Sequence, residues 1–159
     1  MKKLLALLMT VTITFAFLTG CGDPVYDDLL NYLNVEMVDV NADYEKIKEE
    51  ITSWGTLSDD SALASNIRDK LIPLVDGSLE KLKGINPETE EVKAIKEKYV
   101  KVMEAYKEGF DAIAEGCETQ DEATVTKGTG SITRAVELLD EYNKALETLA
   151  GEHGCEIEY

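Results

Sequence analysis

The chain has 159 residues, of which 44% are hydrophobic, 30% charged and only 7% aromatic, and its 16 Lys and Arg stand against 32 Asp and Glu for a formal net charge of −16. That length makes one domain with enough aliphatic surface for a core. So large an excess of negative charge repels phosphate instead of releasing its counterions, which argues against nucleic acid as a partner.

Residues 1–20 read as a targeting segment and not as part of the fold. Lys2 and Lys3 are its only charges, and the apolar run from Leu4 to Phe17 is interrupted only by Thr10, Thr12 and Thr14, the pattern of a signal peptide. A spanning helix needs about 20 apolar residues, so this run is short for a permanent transmembrane anchor. It ends in Leu18-Thr19-Gly20-Cys21, which resembles the lipobox of bacterial lipoproteins. That resemblance implies a diacylglyceryl group on the Cys21 thiol, cleavage before Cys21, and a mature domain of residues 21–159 held to the cell membrane by lipid on its extracytoplasmic face. Two or more acyl chains anchor stably where one does so only marginally. Loss of Lys2 and Lys3 takes the net charge from −16 to −18, so lipid, not attraction to anionic headgroups, must supply the membrane affinity.

From Asp23 onward the apolar period is helical, and it predicts an all-α domain of four helices at about 24–54, 59–83, 87–117 and 120–150. In the first, Leu33, Met37, Val40, Tyr44, Ile47, Ile51 and Trp54 alternate spacings of four and three and so share one face. Asp23 and Pro24 supply a cap and a first-turn proline, and Gly55 an end. The second helix opens at Ser58-Asp59-Asp60, carries Leu63, Ile67, Leu71, Leu74, Leu79 and Leu82, and should kink at Pro73. Asn86-Pro87 is the expected start of the third, with stripe Val92, Ile95, Tyr99, Met103, Tyr106, Phe110, Ile113 and Cys117. The fourth carries Val125, Gly128, Ile132, Ala135, Leu139, Tyr142, Leu146 and Leu149, with Gly128 expected opposite Phe110 and a local break conceivable at Gly128–Gly130. Short connections force antiparallel neighbours, so the expected arrangement is an up-down-up-down four-helix bundle.

Motif by motif, catalytic and metal chemistry finds little support. Asp39, Asn41, Asp43 and Glu50 match calcium-loop spacing, but the turn position that should be Gly is Tyr44, and the apolar stripe runs through without losing phase. Ser78-Leu79-Glu80-Lys81, Ser58-Asp59-Asp60 and Lys127-Gly128-Thr129-Gly130 imitate a penicillin-interacting serine enzyme in the wrong order and with no sheet predicted. The Lys127–Ser131 segment would cradle an anion only if a helix began at Ser131. His153 is the single histidine, which makes zinc or di-iron sites hard to build, and a haem between His153 and Met37 would draw on a Met that the apolar stripe assigns to the core; His153 is expected beside the carbonyl end of the last helix. Cys117 and Cys155 fall at opposite ends of a hairpin about 45 Å long, too far for a disulfide, so both are expected free, Cys155 on an exposed tail.

No enzyme, cofactor, catalytic residue or metal site is therefore expected. The chain resembles small helical bacterial lipoproteins that carry no assigned activity, and the leading expectation is a protein-interaction or accessory module. Its candidate binding face is acidic, around Glu45, Glu49 and Glu50, suited to a basic protein partner or a cationic ligand. One alternative is a small-molecule binding or sensing bundle with a pocket near the Pro73 kink and Tyr99 or Tyr142 facing inward. Another is a wall-proximal spacer without a specific partner.

Overall fold

The structure is a computed structural model that describes residues 22–155 and 157. The segment 1–20 and Cys21, on which the targeting and lipidation expectations fall, lie outside the described residues. The described residues are helical nearly throughout, and no strand occurs among them.

The first predicted helix is present with an interruption. Helix α1 (Pro24–Asn31) starts as expected, with the Asp23 carboxylate accepting from the backbone N–H groups of Val25 and Tyr26 at 3.0 and 3.3 Å. A π-helical turn over Tyr32–Glu36 joins it to α2 (Val38–Ser53), and a 3-10 turn over Trp54–Thr56 ends the stretch. In the wide turn the Met37 N–H reaches back to the Tyr32 carbonyl at 2.9 Å. The extra residue lets Tyr32 and Leu33 both face the core, while Val35 and Val38 become the exposed large hydrophobics.

The second predicted helix is likewise divided, into α3 (Asp60–Asn66), a π turn (Ile67–Leu71) and α4 (Ile72–Gly84). The wide turn falls just ahead of Pro73, where a proline has no N–H to give and its ring needs room in the preceding turn. It also changes which residues are buried. Ala64, Ile67, Leu71, Val75, Ser78 and Leu82 form the core face, and Leu63, Leu74 and Leu79 are only half-buried.

Helix α5 runs Glu90–Thr119 and α6 runs Glu122–Glu152. The start of α5 differs from the expectation at Asn86-Pro87: Asn86 bonds back to the Gly84 carbonyl at 2.8 Å, and Thr89 is the residue before the first helical one. Gln120, in the left-handed region at φ 57°, closes α5, and Asp121 caps α6. Helix α6 is continuous through Gly128 and Gly130, so no helix begins at Ser131 and the anion cradle does not exist.

Glycine decides how α5 and α6 meet. A Cβ on Gly128 would lie 2.7 Å from the Ile113 nitrogen and 2.8 Å from the Gly109 carbonyl, and one on Gly116 2.6 Å from the Val125 nitrogen. Gly128 thus faces Ile113 and Gly109, not Phe110, and the two backbones make the most extensive close contact in the molecule. Close backbone contacts also join α4 to α2 and α5, and α3 to α5. Helices α2 and α6 have no comparable approach, since tyrosines stand between them.

Candidate functional site

Three places carry polar chemistry, and they divide by position along the helices. At one end, Asp23 and the end of α6 meet. The His153 ring Nδ1 lies 2.7 Å from Asp23 Oδ2, and its backbone N–H bonds to the Leu149 and Ala150 carbonyls at 3.2 Å. The hydrogen bond from His153 is the main cause holding the Asp23 carboxyl below its ordinary range. Cys155 folds back here, its N–H on the Ala150 carbonyl at 2.8 Å, and is buried, contrary to the exposed tail expected from its position. Burial pushes its thiol up, helped by the Asp23 charge. Nearby, buried Asp28 accepts from the backbone N–H groups of Glu88 and Thr89 at 3.0 and 2.8 Å and from the Thr89 hydroxyl at 2.6 Å.

The opposite end holds a groove of about 690 Å³ between α3, the second π turn and the last turn of α5, lined by Asp59, Asp60, Arg68, Asp69, Cys117 and Glu118 among others. Arg68 is already matched, with Nη1 2.8 Å from Asp111 and Nε 3.1 Å from Glu118. Asp59 receives the Ala62 N–H at 2.9 Å and the Ser58 hydroxyl at 3.0 Å, which hold its carboxyl below the ordinary range. Neither Asp60 nor Asp69 has an ion pair among the described residues. The terminal carbonyls of a 30-residue helix add partial negative charge. Anions are disfavoured here and cations favoured.

The third place lies inside. Tyr99 and Tyr142 pack at 4.9 Å between ring centroids, Tyr44 and Tyr106 at 6.3 Å, and Trp54 meets Phe110 edge-on at 6.1 Å. Burial pushes the phenols of Tyr32, Tyr44, Tyr99 and Tyr142 up, so they stay protonated across the physiological range.

The acidic face named from sequence does not form one free patch. Glu45 lies 2.6 Å from Lys48, Glu50 is 3.0 Å from Lys70 and accepts from Asn66 at 2.9 Å, and Glu49 is exposed on α2. The Asn66 and Lys70 bonds hold the Glu50 carboxyl below its ordinary range. Asp39, Asn41, Asp43 and Glu50 all lie in helix α2, with Asp43 committed to Lys46 and Lys81. Ser78 is buried, its hydroxyl spent on the Leu74 carbonyl at 3.0 Å. Cys117 and Cys155 are both free thiols. The distal groove escaped sequence reasoning because its acids come from separate stretches, 59–69 and 118. Their one shared signal is proximity to helix ends.

No described helix is long and apolar enough to cross a membrane. Neither a curated protein nor a solved structure matches the chain. A family model does match, over residues 1–123, and its description is EMYY-motif containing lipoprotein. The sequence contains no Glu-Met-Tyr-Tyr string; its one Glu-Met pair is Glu36-Met37, at the close of the first π turn and followed by Val38-Asp39. Because the match takes in most of the chain, from the first residue through the whole of α5, the protein belongs to the EMYY-motif containing lipoprotein family.

Proposed function

We propose that this lipoprotein is a non-enzymatic accessory protein of the cell envelope, held on the extracytoplasmic face by acyl chains on Cys21 after removal of residues 1–20, and that it docks a basic protein partner or other cationic ligand. In this reading the four helical stretches form an antiparallel up-down-up-down bundle. The observation that carries it is the separation of the two ends. Asp23, two residues after Cys21, meets His153, whereas the acidic groove gathers Asp59, Asp60, Asp69 and Glu118. Some 30 helical residues at about 1.5 Å each put roughly 45 Å between them. An anchor at one end then leaves the groove facing away from the bilayer. The net charge of −18 left once Lys2 and Lys3 are removed adds steering toward a cationic partner.

The experiment is crosslinking in cells between carboxylates and lysines, with linked peptides read by mass spectrometry. The expected result is reproducible links from Asp60, Asp69 and Glu118 to one lysine-rich protein, lost on Asp60→Asn with Asp69→Asn. Links spread over abundant neighbours would instead favour the spacer. Cys21→Ala should move the protein from the membrane fraction to the unanchored one.

A further inference from the structure

Between α2, α5 and α6 lies a cavity of about 20 Å³, lined by Asn41, Tyr44, Glu45, Tyr99, Leu139, Tyr142 and Asn143. It exists because the chain spaces its helices unevenly. Glycines bring α5 and α6 together at Gly109, Gly116 and Gly128, but at the level of Tyr99 and Tyr142 two rings fill the space. Rings are rigid and cannot collapse onto the remaining gap.

Three polar atoms on residues of its wall have no hydrogen-bond partner: the Tyr44 hydroxyl, the Tyr99 hydroxyl, on a residue 3% exposed, and the Asn143 amide oxygen. Their burial is costly unless something answers them, since each would give up its hydrogen bonds to water without replacement. Native interiors answer such atoms with protein or with ordered water. Volume decides what fits here. A cavity needs roughly 10–15 Å³ to hold one water and hundreds of Å³ to hold a metabolite. The space admits one molecule of water size and nothing larger.

Charge decides the rest. Glu45 on the wall is matched by Lys48 at 2.6 Å, and the Lys48 ammonium also stands 5.5 Å from the Tyr44 ring centre. The surroundings are close to neutral, with an ammonium already present, which disfavours a second small cation. Every remaining wall group is a phenol, an amide or apolar. The occupant must be neutral, donate to an amide oxygen and pair with a phenol.

We propose that this cavity is a binding site for a single resident water molecule, which bridges the Tyr99 hydroxyl of α5 and the Asn143 amide of α6. The water stands in for the direct contact that the tyrosine rings prevent, and it ties the last two helices at a level the glycines do not reach. No metabolite fits inside this layer, so recognition falls to the surface.

The test is a double-mutant cycle on the full-length lipidated protein in detergent micelles, read as the thermal midpoint. Tyr99→Phe and Asn143→Ala should each lower it, by roughly 2–4 °C, and together by clearly less than their sum, because either change empties the same bridge. A midpoint that rises in Tyr99→Phe would mean a dry cavity with an orphaned phenol and would overturn the proposal, as would strictly additive losses. Exchange of sodium chloride for ammonium chloride at equal ionic strength should leave the midpoint unmoved. A midpoint that climbs with ammonium concentration would identify a cation as the occupant and likewise overturn it.

Discussion

Asp28 shows how much one side chain can arrange. Helix α5 opens at Glu90 without a side-chain cap, and the Asp28 carboxylate of α1 instead fixes the two residues that lead into it, through the Glu88 and Thr89 N–H groups and the Thr89 hydroxyl. Burial raises the pKa of this carboxyl, but the bonds from Thr89 and Glu88 and the charge of Lys93 more than offset it, so it sits below its ordinary range. A depressed folded pKa contributes stability that is full above the unfolded value of about 3.9 and is lost as pH falls through the folded one. Asp28→Ala should therefore lower unfolding stability at pH 7 by about 2–3 kcal/mol, with the gap to wild type shrinking below pH 4. Denaturant melts at pH 7 and pH 3 check it; a gap equal at both would refute the role of the carboxylate in fixing this lead-in. The thiols make a second residue-scale case. Cys117 and Cys155 are buried and burial pushes both up, so little thiolate is available to react. Native protein should label slowly with a thiol reagent and unreduced, denatured protein rapidly at both positions, and denatured protein that stays unlabelled would mean a disulfide.

Among the elements, the α5–α6 pair separates helix propensity from packing. Replacing a helical Gly by Ala gains about 1 kcal/mol from propensity alone. At Gly130, where an added Cβ meets nothing within 4 Å, that gain should appear in full as a higher midpoint. At Gly128 the Cβ would meet backbone atoms of Ile113 and Gly109 at 2.7 and 2.8 Å, and backbone cannot swing aside. Overpacking of this kind costs about 1–3 kcal/mol, so Gly128→Ala should destabilise even after the propensity gain. Opposite signs for two alanines two residues apart are the expected reading from calorimetry; equal signs would mean the helices sit farther apart than described. The π turns carry the complementary lesson. Heptad-like spacing of Leu33, Met37, Val40 and Tyr44 gives a continuous helix on paper, and the added residue at Tyr32–Glu36 leaves that stripe buried while turning Val35 and Val38 outward.

For the molecule as a whole, self-repulsion is the dominant electrostatic fact. Many of its ion pairs, such as Lys83 with Glu80 and Lys144 with Asp140, are exposed and individually weak. They leave an excess of 16 acids with no basic counterpart anywhere in the chain. Compacting that charge opposes folding, and salt screens it over about 10 Å at 0.1 M. The midpoint should rise from 10 mM to 200 mM sodium chloride, and a fall would mean that the ion pairs outweigh the repulsion. The same charge makes partner association fastest at low salt, so in the proposed docking the on-rate should drop over a range in which the fold itself gains stability.

Helix content, the cap at Asp23 and the lipoprotein character were legible from residues alone, because each rests on local chemistry: a 3.6-residue period, a side chain beside its own helix end, and a tetrapeptide. What only packing decided is everything that depends on two distant segments meeting. Thr89 replaces Asn86 at the start of α5 because Asp28, some 60 residues earlier, holds the Thr89 N–H and hydroxyl in place. Gly128 faces Ile113 because the Gln120–Asp121 turn sets the register. Cys155 is buried because its chain folds back on Ala150. The groove and the cavity join residues from separate helices, and no periodicity in one helix reports what the next brings to face it.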